Sequence, residues 1–323
     1  MKVADSLYGE FEIDEPVLQK LVRSPSVQRL KGIAQYGMPP AYYPVPGFSR
    51  FEHSLGVMLL LRRLGADVEE QAAGLLHDVS HTAFSHVTDY VFTDDGGNHQ
   101  DERHMAYFYA TELPDILHRF GMDPERVATT GLHSLLEREA PDLCADRVDY
   151  SLREFALTTK NGIIKKTLSG VAHFHDRMVF TNREAAEAFA VKYLECHSNK
   201  WASVDKTVRQ HLFASAIRSA LDSGDITLGD LFMDDAHAMR KLSATRNPKV
   251  VSVLRLLSGK LELEECEKGD IVLPRRQRHV DPEYLERGSL LRLSRTSERY
   301  CRMLEAQREE LSRGVSVRLK NIA

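Results

Sequence analysis

From Pro16 to Tyr36 apolar side chains recur near helical spacing at Val17, Leu18, Leu21, Val22, Val27, Leu30, Ile33 and Ala34, broken by Ser24-Pro25-Ser26. The pattern predicts one short helix and then another. Pro39-Pro40 and Pro44-Val45-Pro46-Gly47 force a loop, after which helical periodicity resumes from Phe51 to Leu64 and again from Glu69 to His77. Residues 93–98 read as a loop, Glu102 to Leu113 as a helix, with shorter helical pieces around Asp115–Phe120 and Pro124–Glu139. The texture then changes. Val171 to Phe174 and Met178 to Phe180, around His175-Asp176-Arg177, form a hairpin-like pair before a helix from Arg183 to Glu195. A second strand-like pair, Ile271 to Leu273 and Val315 to Leu319, lies near the C-terminus. The expected fold is mainly α, a helical core over residues 1–165 with a smaller α+β part over 166–323 packed on it.

Composition narrows the class. With 323 residues the chain is long enough for one large domain or two smaller ones. Apolar residues at 42% and charged residues at 28% exclude a disordered, collagenous or disulfide-stapled chain. The longest apolar run, Val57 to Leu61, is far short of the roughly 20 residues of a membrane span. The first residues show no secretory pattern, so the expected location is cytoplasmic, away from membranes. Four separated cysteines without a C-x-x-C pair read as reduced thiols. A formal charge of −4 gives no bulk attraction to nucleic acid, so any phosphate recognition must be local.

Six of the fourteen histidines fall between Arg50 and Met105, and one is followed directly by an acid in Leu75-Leu76-His77-Asp78. Imidazole is both a common transition-metal ligand and the main acid–base group near neutral pH. Adjacent helix residues point about 100° apart, so His77 and Asp78 reach one metal only at a helix end or between two helices, and such a site needs ligands from other segments. His53, in Arg50-Phe51-Glu52-His53-Ser54-Leu55-Gly56-Val57, reads as either such a ligand or a core histidine. Asp146 and Asp149 share one helix face, the usual pattern of a solvated charged surface.

The words around these residues are more specific than the residues alone. Asp5-Ser6-Leu7-Tyr8-Gly9, Gln28-Arg29-Leu30 with Ile33-Ala34-Gln35-Tyr36-Gly37, Arg50 to Val57, Leu75 to His81 with Phe84-Ser85-His86, and Asp146-Arg147-Val148-Asp149-Tyr150 with Arg153-Glu154 follow one another over residues 5–155. In this order they resemble the HD-domain phosphohydrolases, nearest to the deoxynucleoside triphosphate triphosphohydrolases. The resemblance implies His53, His77, Asp78 and Asp146 as metal ligands, for Mn, Fe, Ni, Co or Zn, with Mg at the substrate phosphates. It implies His81, His86 and His99 as acid–base and phosphate-contacting groups, His104 competing with His99. An i, i+4 step along one helix would set His81 beside His77.

The resemblance also implies substrate contacts: Arg50 on phosphate, Gln35 and Glu154 at the sugar 3′-hydroxyl, Tyr150 packing on the sugar and Arg147 in place of a phosphate-binding lysine. Tyr36 replaces a leucine that crowds the 2′ position. In the second half, His197-Ser198-Asn199-Lys200-Trp201 is the nearest segment to a triphosphate-gripping word, and Leu273-Pro274-Arg275-Arg276-Gln277-Arg278-His279-Val280-Asp281-Pro282 resembles a C-terminal family word. The implied reaction is hydrolysis of a dNTP to deoxynucleoside and triphosphate. The alternatives are a 5′-nucleotidase acting on monophosphates, or a nucleotide- or nucleic-acid-binding protein without turnover, for which Arg275, Arg276 and Arg278 form the one basic cluster. The family further implies a homo-oligomer and an allosteric nucleotide.

Overall fold

A computed structural model describes residues 1–92, 99–159 and 162–320, with the side chains of 99–102 outside the description. An N-terminal hairpin, β1 (Lys2–Asp5) and β2 (Gly9–Glu12), leads into α1 (Pro16–Val22) and α2 (Pro25–Arg29), the pair expected on either side of Ser24-Pro25. Pro at the first helical position costs no hydrogen bond, and Ser24 Oγ accepts from the Val27 N–H to start α2. Next come α3 (Arg50–Arg63), α4 (Val68–Leu76), α5 (Asp89–Phe92), α6 (His99–Tyr109), α7 (Leu113–Arg119), α8 (Pro124–Ala128), α9 (Ala145–Thr158) and α10 (Gly162–Gly170). Helix α3 opens with a capping box between Ser49 and Glu52, and buries residues on most of its circumference, from Arg50 and His53 through Leu61. It is the central rod against which α4 and α9 pack.

The second half carries β3 (Val171–Phe174), β4 (Arg177–Phe180), α11 (Arg183–Cys196), a π-turn at His197–Trp201, α12 (Val204–Asp222), α13 (Leu228–Leu231), α14 (Asp235–Ala244) and α15 (Pro248–Ser258). It ends with β5 (Leu263–Glu265), β6 (Ile271–Leu273), β7 (Glu283–Glu286), β8 (Ser289–Arg292), α16 (Glu298–Ser312) and β9 (Val315–Leu319). Two small sheets result, in orders β3-β4-β7-β8 and β5-β9-β6. The fold is mainly α with small sheets, as the pattern predicts, and both expected strand pairs form, Val171 opposite Phe180 and Ile271 opposite Val317. The main core draws Val57, Leu75 and Leu152 together with Phe180, Phe189 and Tyr284, so it runs across position 165. Among the described residues no helix is long and apolar enough to cross a membrane.

The helix expected over Pro124–Glu139 is shorter. It stops at Ala128 and is followed by a 3-10 turn at Thr130–Leu132. The Glu70 carboxylate accepts from the Leu135 and Leu136 N–H groups at 2.8 and 3.2 Å, giving those donors a partner outside any helix. The loop expected at 93–98 lies outside the described residues.

Candidate metal centre and adjoining cavity

Three helix ends meet at one point. Helix α3 contributes His53 from its second turn, α4 ends at Leu76 so that His77 and Asp78 follow directly, and α9 places Asp146 in its first turn. The carbonyl end of α4 favours a cation there. Ligand atoms of His53, His77 and Asp146 lie within 4.8 Å of one another. His53 Nε2 is 2.9 Å from Asp146 Oδ1 and 3.7 Å from Asp78 Oδ2, while His77 Nε2 is 3.5 Å from both Asp78 Oδ1 and Asp146 Oδ1. His77 Nδ1 donates to the Gly74 carbonyl at 2.8 Å, which fixes the tautomer and leaves a lone pair on Nε2. That Nε2 is buried without a hydrogen-bond partner. Two imidazoles and two carboxylates with an orphaned nitrogen between them fit a divalent transition metal.

Behind His53 lies a buried chain of charges. His53 Nδ1 donates to Asp149 Oδ2 at 2.7 Å, and Asp149 also accepts from Arg153 Nε at 2.8 Å and from the Tyr8 hydroxyl at 2.8 Å. Arg153 Nη2 continues to Asp5 Oδ2 at 2.7 Å. The N-terminal hairpin thus reaches the metal centre through Asp5, Arg153 and Asp149. A carboxylate on the far nitrogen orients a ligating imidazole and raises its basicity.

A cavity of about 510 Å³ opens beside the cluster. Arg50 enters it almost wholly buried, with Nη1 on Asp78 Oδ2 at 2.6 Å, Nε on Ser85 Oγ at 3.0 Å and Nη2 buried without a partner. Asp146, Tyr150 and Glu154 fall at i, i+4 and i+8 of α9 and line one side like rungs. Trp201 stands edge-on to Tyr150 at 5.5 Å, and Gln35 and Tyr36 also face the cavity.

A family model for the HD domain matches residues 50–154, the stretch from Arg50 to Glu154. The chain is 32% identical over 303 residues to the metal-dependent phosphohydrolase cns2 of Cordyceps militaris, covering 88% of this chain and 85% of cns2. This chain belongs to the HD-domain metal-dependent phosphohydrolases. The phosphohydrolase is also 34% identical to the uncharacterized protein YdhJ of Bacillus subtilis over 99% of both chains. Its match to the deoxynucleoside triphosphate triphosphohydrolase SAMHD1 of Bos taurus, 34% identical over 153 residues, spans 39% of this chain and 25% of SAMHD1. A phosphohydrolase of Bacteroides thetaiotaomicron shares the fold, with a TM-score of 0.73 over 98% of both chains at 18% identity.

The other residues singled out in the sequence arrive by different routes. His81 does not come by an i, i+4 step, because α4 ends at Leu76; a turn over 77–80 carries it to Asp78 Oδ1, 3.1 Å from its Nε2. Burial and then Arg50 hold its pKa down to about 3, so it is a neutral imidazole. His86 presents half its side chain to the cavity, with Nδ1 on Asp89 Oδ2 at 2.9 Å. His99 begins α6, and its side chain lies outside the described residues; His104 is buried on Ser80. Arg147 turns its guanidinium to the Asp142 and Arg138 carbonyls at 2.6 and 3.2 Å. Glu154 is bonded to Tyr36 and Lys200, and Trp201 Nε1 donates to it at 3.3 Å. Gln35 leaves Oε1 buried and unpaired.

Asp149 is not the solvated acid that its i, i+3 spacing suggests; it is fully buried. The fold also brings Glu137, Lys206, Arg276 and Arg278 to the cavity, none of them marked by a sequence signal as a group beside this centre. Burial and then Asp146 push the Glu137 carboxyl up to about 7.

The charge balance predicts how an ion competes with protons. Burial opposes a charge on His77, but Asp78 and Asp146 outweigh it and raise its pKa to about 9. Without an ion, a protonated His77 stabilises the fold below its unfolded value near 6.5, and this is lost as pH rises through about 9. Below about 9 an arriving ion must therefore displace that proton. Apparent manganese affinity, measured by calorimetry, is expected to rise about tenfold per pH unit from pH 6.5 toward 9, with about one proton released per ion. A pH-independent affinity would place the ion elsewhere.

Proposed function

We propose that the substrate of this phosphohydrolase is a nucleotide, and that the leading reaction is hydrolysis of a dNTP to deoxynucleoside and triphosphate. The observation that carries the reading is the Arg50 guanidinium: buried, fixed by Asp78 and Ser85, and keeping Nη2 unpaired in a cavity that also holds Gln35, Tyr150 and Trp201. An unpaired buried N–H of a charged fork is matched by a phosphate oxygen. Aromatic faces and an amide suit a sugar and base. The similarity of 39% of the chain to SAMHD1 supports the same choice.

In this reading His53, His77, Asp78 and Asp146 hold the divalent ion, whose chemistry when bound is to polarise the phosphate and activate water at neutral pH. Arg50 holds the scissile phosphate through Nη2 and is itself held by Asp78. Water attacks the α-phosphorus, the bond to the 5′-oxygen breaks, and His86 delivers a proton to that oxygen. The Asp89 carboxylate accepts the Nδ1–H, so Nε2 is the atom that takes up a second proton and passes it on. Tyr150 and Trp201 exclude bulk water, while Gln35 and Glu154 address the sugar.

One observation favours a second reading, a nucleoside monophosphate cleaved to nucleoside and phosphate. Arg147 spends its fork on backbone carbonyls and Lys200 is paired with Glu154, so the two cations at the expected triphosphate positions are already engaged.

A turnover screen with Mn, Fe, Ni, Co or Zn, one dNTP, dNMP or rNTP per assay and mixed nucleotides as activators, tests both readings. Deoxynucleoside with intact triphosphate is expected. Orthophosphate from monophosphates alone would transfer the assignment to the second reading, and no turnover of any nucleotide by metal-loaded protein would overturn both. Light scattering in the same buffers tests the expected homo-oligomer.

A further inference from the structure

Lys206, in the first turn of α12, is a buried cation without a counter-ion. The residue is 8% exposed, its Nζ lies 5.3 Å from the centre of the Tyr36 ring, and among the described residues it makes no ion pair. Burial first, and then Arg278 and Lys200, bring its ammonium down to about 8 against the pull of Glu154. Glu154 is no free partner, since Lys200, Tyr36 and Trp201 already bond to it. An unpaired buried charge is strongly destabilising unless something compensates it.

Arg278 stands over the same space. The segment that carries it is pinned to the rim: Arg275 Nε donates to the Ala202 carbonyl at 2.8 Å, the Arg276 carbonyl lies 2.8 Å from His197 Nε2, and Gln277 Nε2 donates to the Arg308 carbonyl at 3.0 Å. Its guanidinium makes no ion pair among the described residues, and its charge is felt by His86, Tyr150 and Lys206, all of which line the cavity. Arg276 and Arg278 of the basic run line the cavity. Like charges converging in a cavity, with the nearby acid already engaged, hold an anion.

Lys206 lies toward the Glu154 end of the cavity. Glu154, whose carboxylate anchors Tyr36 beneath Lys206, lies eight residues along α9 from Asp146, about 12 Å at 1.5 Å per residue. We infer that Lys206 and Arg278 form a second anion subsite, which holds a phosphate of the substrate other than the one cleaved at the metal. The inference rests on the reading of this cavity as the site of phosphohydrolysis, and it adds that the substrate carries at least two phosphates.

The test uses the whole chain, freed of metal by chelation so that nothing turns over. Trp201 is the only tryptophan and lines the cavity, so its fluorescence reports binding. Hexane-1,6-diyl bisphosphate is expected to bind about tenfold more tightly than hexyl phosphate, the contribution of one charge-assisted contact. In Lys206→Met that ratio falls toward one, and Lys206→Arg recovers it. Thermal midpoint and manganese content show that each variant retains its fold.

A ratio near one in the unaltered protein, or one that survives Lys206→Met, overturns the subsite. Hexyl diphosphate outcompeting the bisphosphate, with the same dependence on Lys206, supports the subsite and assigns it a polyphosphate tail. An intact ratio with no nucleotide turned over by the metal-loaded enzyme sinks the nucleotide reading alone.

Discussion

Asp146→Ala is expected to lower phosphohydrolase turnover by about a thousandfold or more and to leave manganese far below one ion per chain, because a bound ion contributes several kcal/mol to the charge-developing step. Asp146 Oδ1 is the one oxygen that faces both imidazoles, 2.9 Å from His53 Nε2 and 3.5 Å from His77 Nε2. Without it, the two Nε2 atoms retain Asp78 at 3.7 and 3.5 Å, and Asp78 is shared with Arg50 at 2.6 Å. Asp149→Asn makes the informative contrast. Asp149 touches His53 only through Nδ1, so the amide should keep the ion bound while costing about ten- to a hundredfold in affinity or rate. Metal analysis and kcat on the two variants check the pair; a full complement of manganese in Asp146→Ala would show that Asp146 is no ligand.

Gly56→Ala, a change of one methyl group, is expected to cost about 3 kcal/mol or more of stability. Helix α3 passes so close to the Asp149–Arg153 pair that a Cβ at Gly56 would stand 2.0 Å from Arg153 Nη2 and 2.2 Å from Asp149 Oδ1. Neither group can step aside cheaply. Both are buried, Arg153 is bonded to Asp5 as well as Asp149, and Asp149 carries His53 and Tyr8. Breaking one partner from a buried charge network is among the few single changes with effects of this size. Because the displaced carboxylate also orients His53, manganese affinity should fall with stability. Chemical denaturation and metal titration of Gly56→Ala check both, and an unchanged midpoint would mean that the network tolerates separation.

The elements were legible where one face of a helix repeats. Helices α1, α2, α3 and α4 sit where apolar spacing and proline breaks put them, and the 171–180 hairpin follows from alternation around a short turn. Helix α12 gives no such apolar pattern, since its buried face carries Lys206 and Gln210 beside Phe213, Ala214, Ile217 and Ala220. The expected end of α4 at His77 falls one residue past the observed Leu76, but the i, i+4 placement of His81 does not hold, because a turn over 77–80 follows the helix.

By itself the sequence determined which residue types were present and in which local words: the His53, His77-Asp78 and Asp146 set, the Arg50 beside it, and a mainly helical class. These follow from short-range spacing and from words long enough to be specific. Tertiary structure decided the rest, because burial and charge pairing are properties of neighbours distant in the chain. It turned Asp149 from a surface acid into a fully buried anchor for His53, reached from Asp5 across 148 positions through Arg153. It set Arg147 on backbone carbonyls and left Arg50 Nη2 free. It carried Lys206, an unremarkable charge in a linear reading, into the cavity that Arg278 also lines, where burial and the lack of a free acid give Lys206 its meaning.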